Sequence, residues 1–325
     1  MNKELEWKLF RNVFGHGFDS CVQESEAPDF LICFADVKHG VEVTEVYSDS
    51  TDARLKYHDG YLASLLDGNG KIFKADKGQM IVDEIQIVNG EGEVFSTQVA
   101  VIRDAIGFDE AMLLVADAVR EKCKKIPAYF KSCDSVDLIV SDSSGLFFIK
   151  DDEDFHRFFF HKFDRGFLSS ILFREVFFVC SLWNRRRVVM PIKLNLFLSD
   201  YLAISVVVES ELGEPWDNSE KHFDILLLAI LAMGYADFTY DISSENLSIE
   251  IGASIVEFNE SGISIKDHTS YFSAHGFTSK ASDLRATASD EYLEVANRIA
   301  ARRWENIAYV PIHYPASGSD NEVSV

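Results

Sequence analysis

The spacing of apolar and polar positions predicts a chain that mixes helices and strands. Leu5, Leu9, Phe10 and Val13 recur at near-helical intervals, which predicts a short helix over residues 2–13. Residues 28–47 (PDFLICFADVKHGVEVTEVY) hold two apolar runs around a turn, the pattern of paired strands. Residues 52–66 predict a helix stopped by Gly68, Asn69 and Gly70, and alternation across residues 79–103 predicts a long hairpin turning at 89–92. The clearest helix covers 109–125. Met112, Val115, Ala116, Val119, Cys123 and Ile126 make one apolar stripe, and Pro127 limits its continuation. Residues 136–140 (VDLIV) then read as a short buried strand ended by turn residues at 141–145.

The second half has a different texture. Strands are expected at 174–182, 188–198 and 204–208, the first two joined at 184–187. A helix is expected over 219–233, and a hairpin over 247–265 that turns at 259–262. Ser289, Asp290 and Glu291 open a last helix to about Trp304, with its acids suitably placed in the first turn. The tail from Pro315 is polar enough to be expected disordered. The shift near 150–165 divides the chain into expected domains 1–150 and 151–325.

Composition narrows the classes. At 325 residues and 47% hydrophobic, the chain can bury a large core. Its longest apolar run, residues 225–234 (ILLLAILAMG), is too short to cross a bilayer and reads as a buried helix. The opening MNKELEWKLF has no secretory leader pattern. The five cysteines are odd in number and lack C-x-x-C spacing, so a reducing cytoplasm is expected, without a disulfide framework or zinc ribbon. The net charge is −22, with 26 acids against 16 Lys plus Arg in residues 1–150 and 27 against 15 in the remainder. Phosphate-binding surfaces carry excess Lys and Arg, so this charge counts against a free-standing DNA binder.

The candidate chemistry lies in residues 28–47. A carboxylate near a core is costly unless it is paired or bound to metal. A turn centred on Ala35 and Asp36 sets Asp29 opposite Glu42, with Cβ atoms about 4.5–5.5 Å apart, close enough to share a divalent cation. A turn at His39 and Gly40 instead puts the two acids far out of register. Thr44 shares the face of Glu42 because side chains repeat every second residue. Lys122 borders the apolar stripe of the 109–125 helix, where a snorkelling lysine is the ordinary occupant.

Other motifs are weaker. Residues 68–71 lack the ending of a phosphate loop and read as a turn. His156 and His161 are five apart, off the spacing of a helical metal pair, and Arg185, Arg186 and Arg187 suit a solvated tip as well as a phosphate contact. No G-x-S-x-G occurs.

Pro28-Asp29, Glu42-x-Thr44, and a helix-then-strand with Val119, Lys122, Lys125 and Tyr129 before Asp137-Leu138-Ile139-Val140 together resemble the PD-(D/E)xK nuclease superfamily. The likeness is to a bacterial set with an E-V-T form of the motif. It covers residues 1–150, with an insertion at about 48–108. The resemblance implies an α/β fold: a restriction-endonuclease-like mixed sheet with flanking helices, followed by a C-terminal α+β domain. It also implies Asp29 and Glu42 as ligands for Mg²⁺ or Mn²⁺, and catalytic roles for Asp29, Glu42, Thr44 and Lys122. Thr44 stands where the superfamily has its lysine, and Lys122 is the candidate replacement. Glu6 or Glu24 is a further candidate acid.

The function this implies is metal-dependent hydrolysis of a nucleic acid substrate, DNA ahead of RNA, as the effector of a bacterial or phage defence system. The competing expectation is a non-catalytic acidic protein that keeps a nuclease-like scaffold and docks onto a protein partner. A nuclease active only in an oligomer or hetero-assembly reconciles the two.

Overall fold

The computed structural model describes residues 3–34, 37–142, 145, 171–181, 187–216, 219–235, 238–243, 246–259, 262–266, 277, 279–304, 312 and 314–316. The first half runs α1 (Lys3–Phe14), β1 (Val22–Glu24), β2 (Phe30–Phe34), β3 (Val37–Glu45), α2 (Ser50–Tyr57), α3 (Tyr61–Leu66), β4 (Ile81–Val88), β5 (Val94–Ile102), α4 (Phe108–Cys123), α5 (Ile126–Tyr129) and β6 (Ser135–Ser141). The second half adds β7 (Val176–Ser181), β8 (Arg187–Pro191), α6 (Ile192–Leu212), α7 (Glu220–Ala232), β9 (Thr239–Ile242), β10 (Leu247–Ile251), β11 (Ser254–Asn259) and β12 (Gly262–Lys266). It closes with β13 (Ser279–Lys280), α8 (Ala281–Thr287), α9 (Asp290–Ala301) and β14 (Tyr314–Pro315).

A seven-stranded mixed sheet in the order β1-β2-β3-β6-β7-β8-β14 forms the centre, an α/β arrangement with helices on both faces. Strands β3, β6 and β7 are parallel, and the outer pairings are antiparallel. A parallel pair needs a crossover, and α4 lies in the one joining β3 to β6. The apolar stripe of α4, from Met112 to Val119, packs with Val136, Leu138, Val140 and Phe178. On the other face, Leu9, Phe10, Val13 and Phe14 of α1 pack with Val41, Val43, Ile139 and Phe177. Cover on both faces explains why β7 and, apart from Asp137, the centre of β6 read as apolar runs rather than alternating ones.

The sheet does not stop at the expected boundary near residue 150, because β7, β8 and β14 extend it. A second, antiparallel sheet, β12-β11-β10-β9-β13, shares its core with α6, α7, α8 and α9. Between β3 and α4, the expected insertion holds α2, α3 and the β4–β5 hairpin around a small cluster of Tyr61, Leu65 and Met80. No helix among the described residues is long and apolar enough to cross a membrane.

Several expected elements differ. The strand expected at 188–198 ends at Pro191 as β8, and residues 192–198 together with the strand expected at 204–208 belong to one helix, α6, entered directly from Pro191. All eight residues from Ile192 to Ser199 are buried, so no polar face exists to reveal a 3.6-residue period. The helix expected over 52–66 breaks at Gly60, whose φ of 70° suits glycine. The hairpin over 247–265 is a three-stranded meander with an extra turn at Gly252. At the start of the expected tail, Pro315 pairs with β8, as does Tyr314 just before it, and Ala316 is buried, while 317–325 lie outside the described residues. His156, His161, Arg185 and Arg186 also lie outside them.

Glu175 joins the two sheets. Its carboxylate accepts hydrogen bonds from the N–H groups of Val176 and Lys193 at 2.8 Å and of Leu194 at 3.3 Å, so it caps the start of α6 from outside the helix. Gly252, at φ 58°, presses its backbone against the same carboxylate, where a Cβ would clash. Burial raises the Glu175 pKa to about 7, against the pull of the capping N–H groups. A raised folded-state value means that stability is highest with the group protonated and falls as pH rises from the unfolded value of 4.5 to about 7. Comparison of wild type with Glu175→Gln isolates this group from others that titrate nearby. The melting-temperature difference should move in favour of the variant between pH 5 and 8, by an amount equivalent to roughly 3 kcal/mol. Parallel pH profiles for the two proteins would refute it.

Candidate functional site

The pairing of β2 with β3 sets Phe30 against Val41 and Phe34 against Val37, the register expected from the Ala35–Asp36 alternative, although those two residues themselves lie outside the described residues. One step beyond the last pair, the same register brings Asp29 across from Glu42. The Asp29 carboxylate accepts a hydrogen bond from the Val43 N–H at 2.8 Å, which pins it to the strand that carries Glu42. Gly40 makes this approach possible. A Cβ there would lie 2.6 Å from Cγ of Pro28 and 2.8 Å from Sγ of Cys133. Gly40→Ala should therefore displace Pro28 and Asp29 and cost about 1–3 kcal/mol, read as a lowered melting temperature. An unchanged melting temperature would show that the strand accommodates the methyl group.

Strand alternation divides the polar residues of β3 between two faces. Glu42 and Thr44 face the α4 side, and His39 faces the α1 side. On the α4 side, Lys122 reaches across from its helix, and its Nζ lies 2.5 Å from Oε1 of Glu42. The Glu42 side chain is 6% exposed and that of Lys122 18%, so this pair is largely removed from water. The stem of Lys122 runs beside the apolar stripe while its head turns inward to an acid. Thr44 is half-buried and lies opposite Val140 of β6, and its hydroxyl has no hydrogen-bond partner among the described residues.

The site extends beyond these four side chains. Glu6 of α1 is buried and paired with Lys3 at 2.8 Å, and Lys3 lies 3.9 Å from Asp29. Glu24 is exposed and held by the indole N–H of Trp7 at 2.5 Å, so of the two further acids only Glu6 is buried beside the site. Tyr129 of α5 is buried, and its hydroxyl lacks a well-aligned hydrogen-bond partner. Burial, and then the charge of Glu42, raise its pKa far above the phenol range. Burial also raises the Asp29 pKa to about 6, with Glu42 and Glu6 adding like-charge repulsion against the Val43 N–H and Lys122. Three acids (Asp29, Glu42 and Glu6) with two lysines (Lys122 and Lys3) leave an excess negative charge in a poorly solvated place. Hard carboxylate oxygens carrying such an excess suit Mg²⁺ or Mn²⁺. Among the described residues, no group of three or more His, Cys, Asp or Glu side chains is arranged to hold a metal ion. A cation here would draw its remaining ligands from water or substrate.

The opposite face carries a polar network not anticipated from the sequence. His39 Nε2 lies 2.8 Å from Asp137 and its Nδ1 lies 2.7 Å from the Ser135 hydroxyl. Arg174 Nε donates to Asp137 at 2.9 Å, and a second guanidinium nitrogen donates to the other oxygen. Burial pushes the Asp137 carboxyl up, but Arg174 and His39 outweigh it and hold it well below the usual range. Burial and Arg174 keep His39 below its ordinary pKa. The only signal in the sequence is an aspartate inside the VDLIV run. Its partners come from residues 39 and 174, and sequence distance hides them.

No protein-family model matches the chain, no curated protein matches it, and no solved structure matches it.

Proposed function

We propose that the chain is a divalent-metal-dependent phosphodiesterase acting on nucleic acid, DNA ahead of RNA, with Asp29 and Glu42 as the metal-binding pair. The observation that carries this reading is the juxtaposition of Asp29, Glu42 and Lys122. It supports the likeness of the sequence to the PD-(D/E)xK superfamily, as does the succession of α4 and β6 behind the strand that bears Glu42. Mg²⁺ or Mn²⁺, when bound, supplies polarisation of the scissile phosphate and a water of lowered pKa.

The chain's own residues then have separable roles. Asp29 and Glu42 hold the cation with their ionised oxygens. Lys122 neutralises Glu42 in the resting site and offers its ammonium to the charge that develops on phosphate oxygens. The Thr44 hydroxyl, two residues after Glu42, orients a water. The protein would act in the cytoplasm, as a defence effector or within a larger assembly.

The test is hydrolysis of several DNA and RNA substrates with Mg²⁺ or Mn²⁺ by wild type, Asp29→Ala and Glu42→Ala. Equal activity in all three would sink the assignment. The competing reading, a non-catalytic scaffold, draws support from the net charge of −22 and from threonine in the lysine position. Calorimetry that finds no Mn²⁺ binding by wild type would favour it.

A further inference from the structure

The β4–β5 hairpin forms a two-stranded sheet of its own, paired from Ile81 with Ile102 to Val88 with Val94. Residues directly opposite share a face, so the register sorts the side chains. Val82 and Val101 face the small cluster under α3. Ile81, Ile85, Ile87 and Ile102 fall on the other face, and all four are exposed, Ile81 at 62%. Phe95, in the irregular pairing near the tip, is 83% exposed. Asp83, opposite Ala100, interrupts this face between Ile81 and Ile85, and Gln98 and Ser96 lie opposite Ile85 and Ile87. An isolated two-stranded hairpin is marginal in water, and exposed apolar side chains gathered on one face mark an interaction site.

Charge selects the occupant. Residues 81–102 contain Asp83, Glu84, Glu91 and Glu93 and no lysine or arginine. Nucleic acid and anionic lipid are repelled by such a surface, and a second copy would bring the same four acids and the same −22. Each strand has only the other as partner among the described residues, so each also offers an unpaired backbone edge. We propose that this hairpin docks an extended segment of a partner protein, apolar on one side and bearing Lys or Arg on the other, added as a third strand. Its apolar side chains cover the isoleucine column while its cations meet Glu84 and its neighbours. The inference is independent of the hydrolysis reading, because no residue of the Asp29–Glu42 site takes part.

The probe is a fluorescent ten-residue peptide alternating lysine and valine, titrated against the full chain by anisotropy. A lysine–serine peptide of equal charge is the control. Wild type should bind the lysine–valine peptide at least tenfold more tightly than the control. That preference should vanish in the double variant Ile85→Ser/Ile87→Ser and persist in Leu113→Ser, an exposed position on α4. If the double variant fails to fold, Phe95→Ser should reduce the preference in its place. Equal binding of the two peptides, or a preference unchanged by the hairpin variants, would overturn the proposal. So would sedimentation showing that wild type dimerises and the hairpin variant does not, since the occupant would then be a second copy.

Discussion

Glu42→Gln should lower metal-dependent hydrolysis about a thousandfold, equivalent to ~4 kcal/mol of transition-state stabilisation. The amide keeps the shape of the side chain but removes the charge that faces Lys122 at 2.5 Å and that, on the proposed reading, would share a cation with Asp29. Asp29→Asn should act in the same direction, with Mn²⁺ binding by calorimetry lost in both. Lys122→Met should behave differently. It removes no proposed metal ligand, so Mn²⁺ binding should persist or strengthen, because the competing cation beside Glu42 is gone. Hydrolysis at saturating metal should still fall by about 10²-fold through loss of charge stabilisation on the phosphate. Loss of activity in all three variants with Mn²⁺ affinity reduced only in the first two would separate the roles. If Lys122→Met kept full activity, its contact with Glu42 would be purely structural.

Arg174→Met should destabilise the fold by about 3–5 kcal/mol, the cost of leaving Asp137 buried after its bidentate partner is removed. His39 would remain beside Asp137, and its proton affinity should rise because Arg174 no longer opposes it. Part of the loss should therefore be regained on lowering the pH from 8 to 6, as His39 takes a proton. The double variant Arg174→Met/Asp137→Asn should lose less than the sum of the two single changes, because it leaves no unpaired charge. Chemical denaturation of the four proteins measures the coupling. Additive losses would mean that the two side chains do not act as a unit. Neither residue belongs to the Asp29–Glu42 site, so metal affinity should follow stability only where the fold is lost.

Local patterning made much of the first half legible. The stripe of α4, the hairpin around residue 90 and the strand at 136–140 all leave one-dimensional traces, because each has a regular period or a clear turn. Asp29 and Glu42 could be placed conditionally, since strand pairing is a matter of register and a turn at Ala35 and Asp36 fixes it. Lys122 could be named as a neighbour of the apolar stripe and, through the resemblance, as the candidate replacement lysine, but its contact with Glu42 is visible only in the fold. The first eight residues of α6 leave no helical period in the sequence because burial on every side erases the contrast on which periodicity depends.

The sequence by itself determined the periodic elements, the acidic surface and the two residues that a single hairpin register must bring together. The tertiary structure alone decided which lysine meets Glu42 and which arginine meets Asp137, and that Glu175 caps a helix belonging to the next layer. Tyr129 and Glu6 also reach the Asp29–Glu42 site only through the fold. The reason is physical. Local propensity and register act over a few residues, whereas a buried charge selects its partner by proximity in the folded chain, and 80 residues separate Glu42 from Lys122.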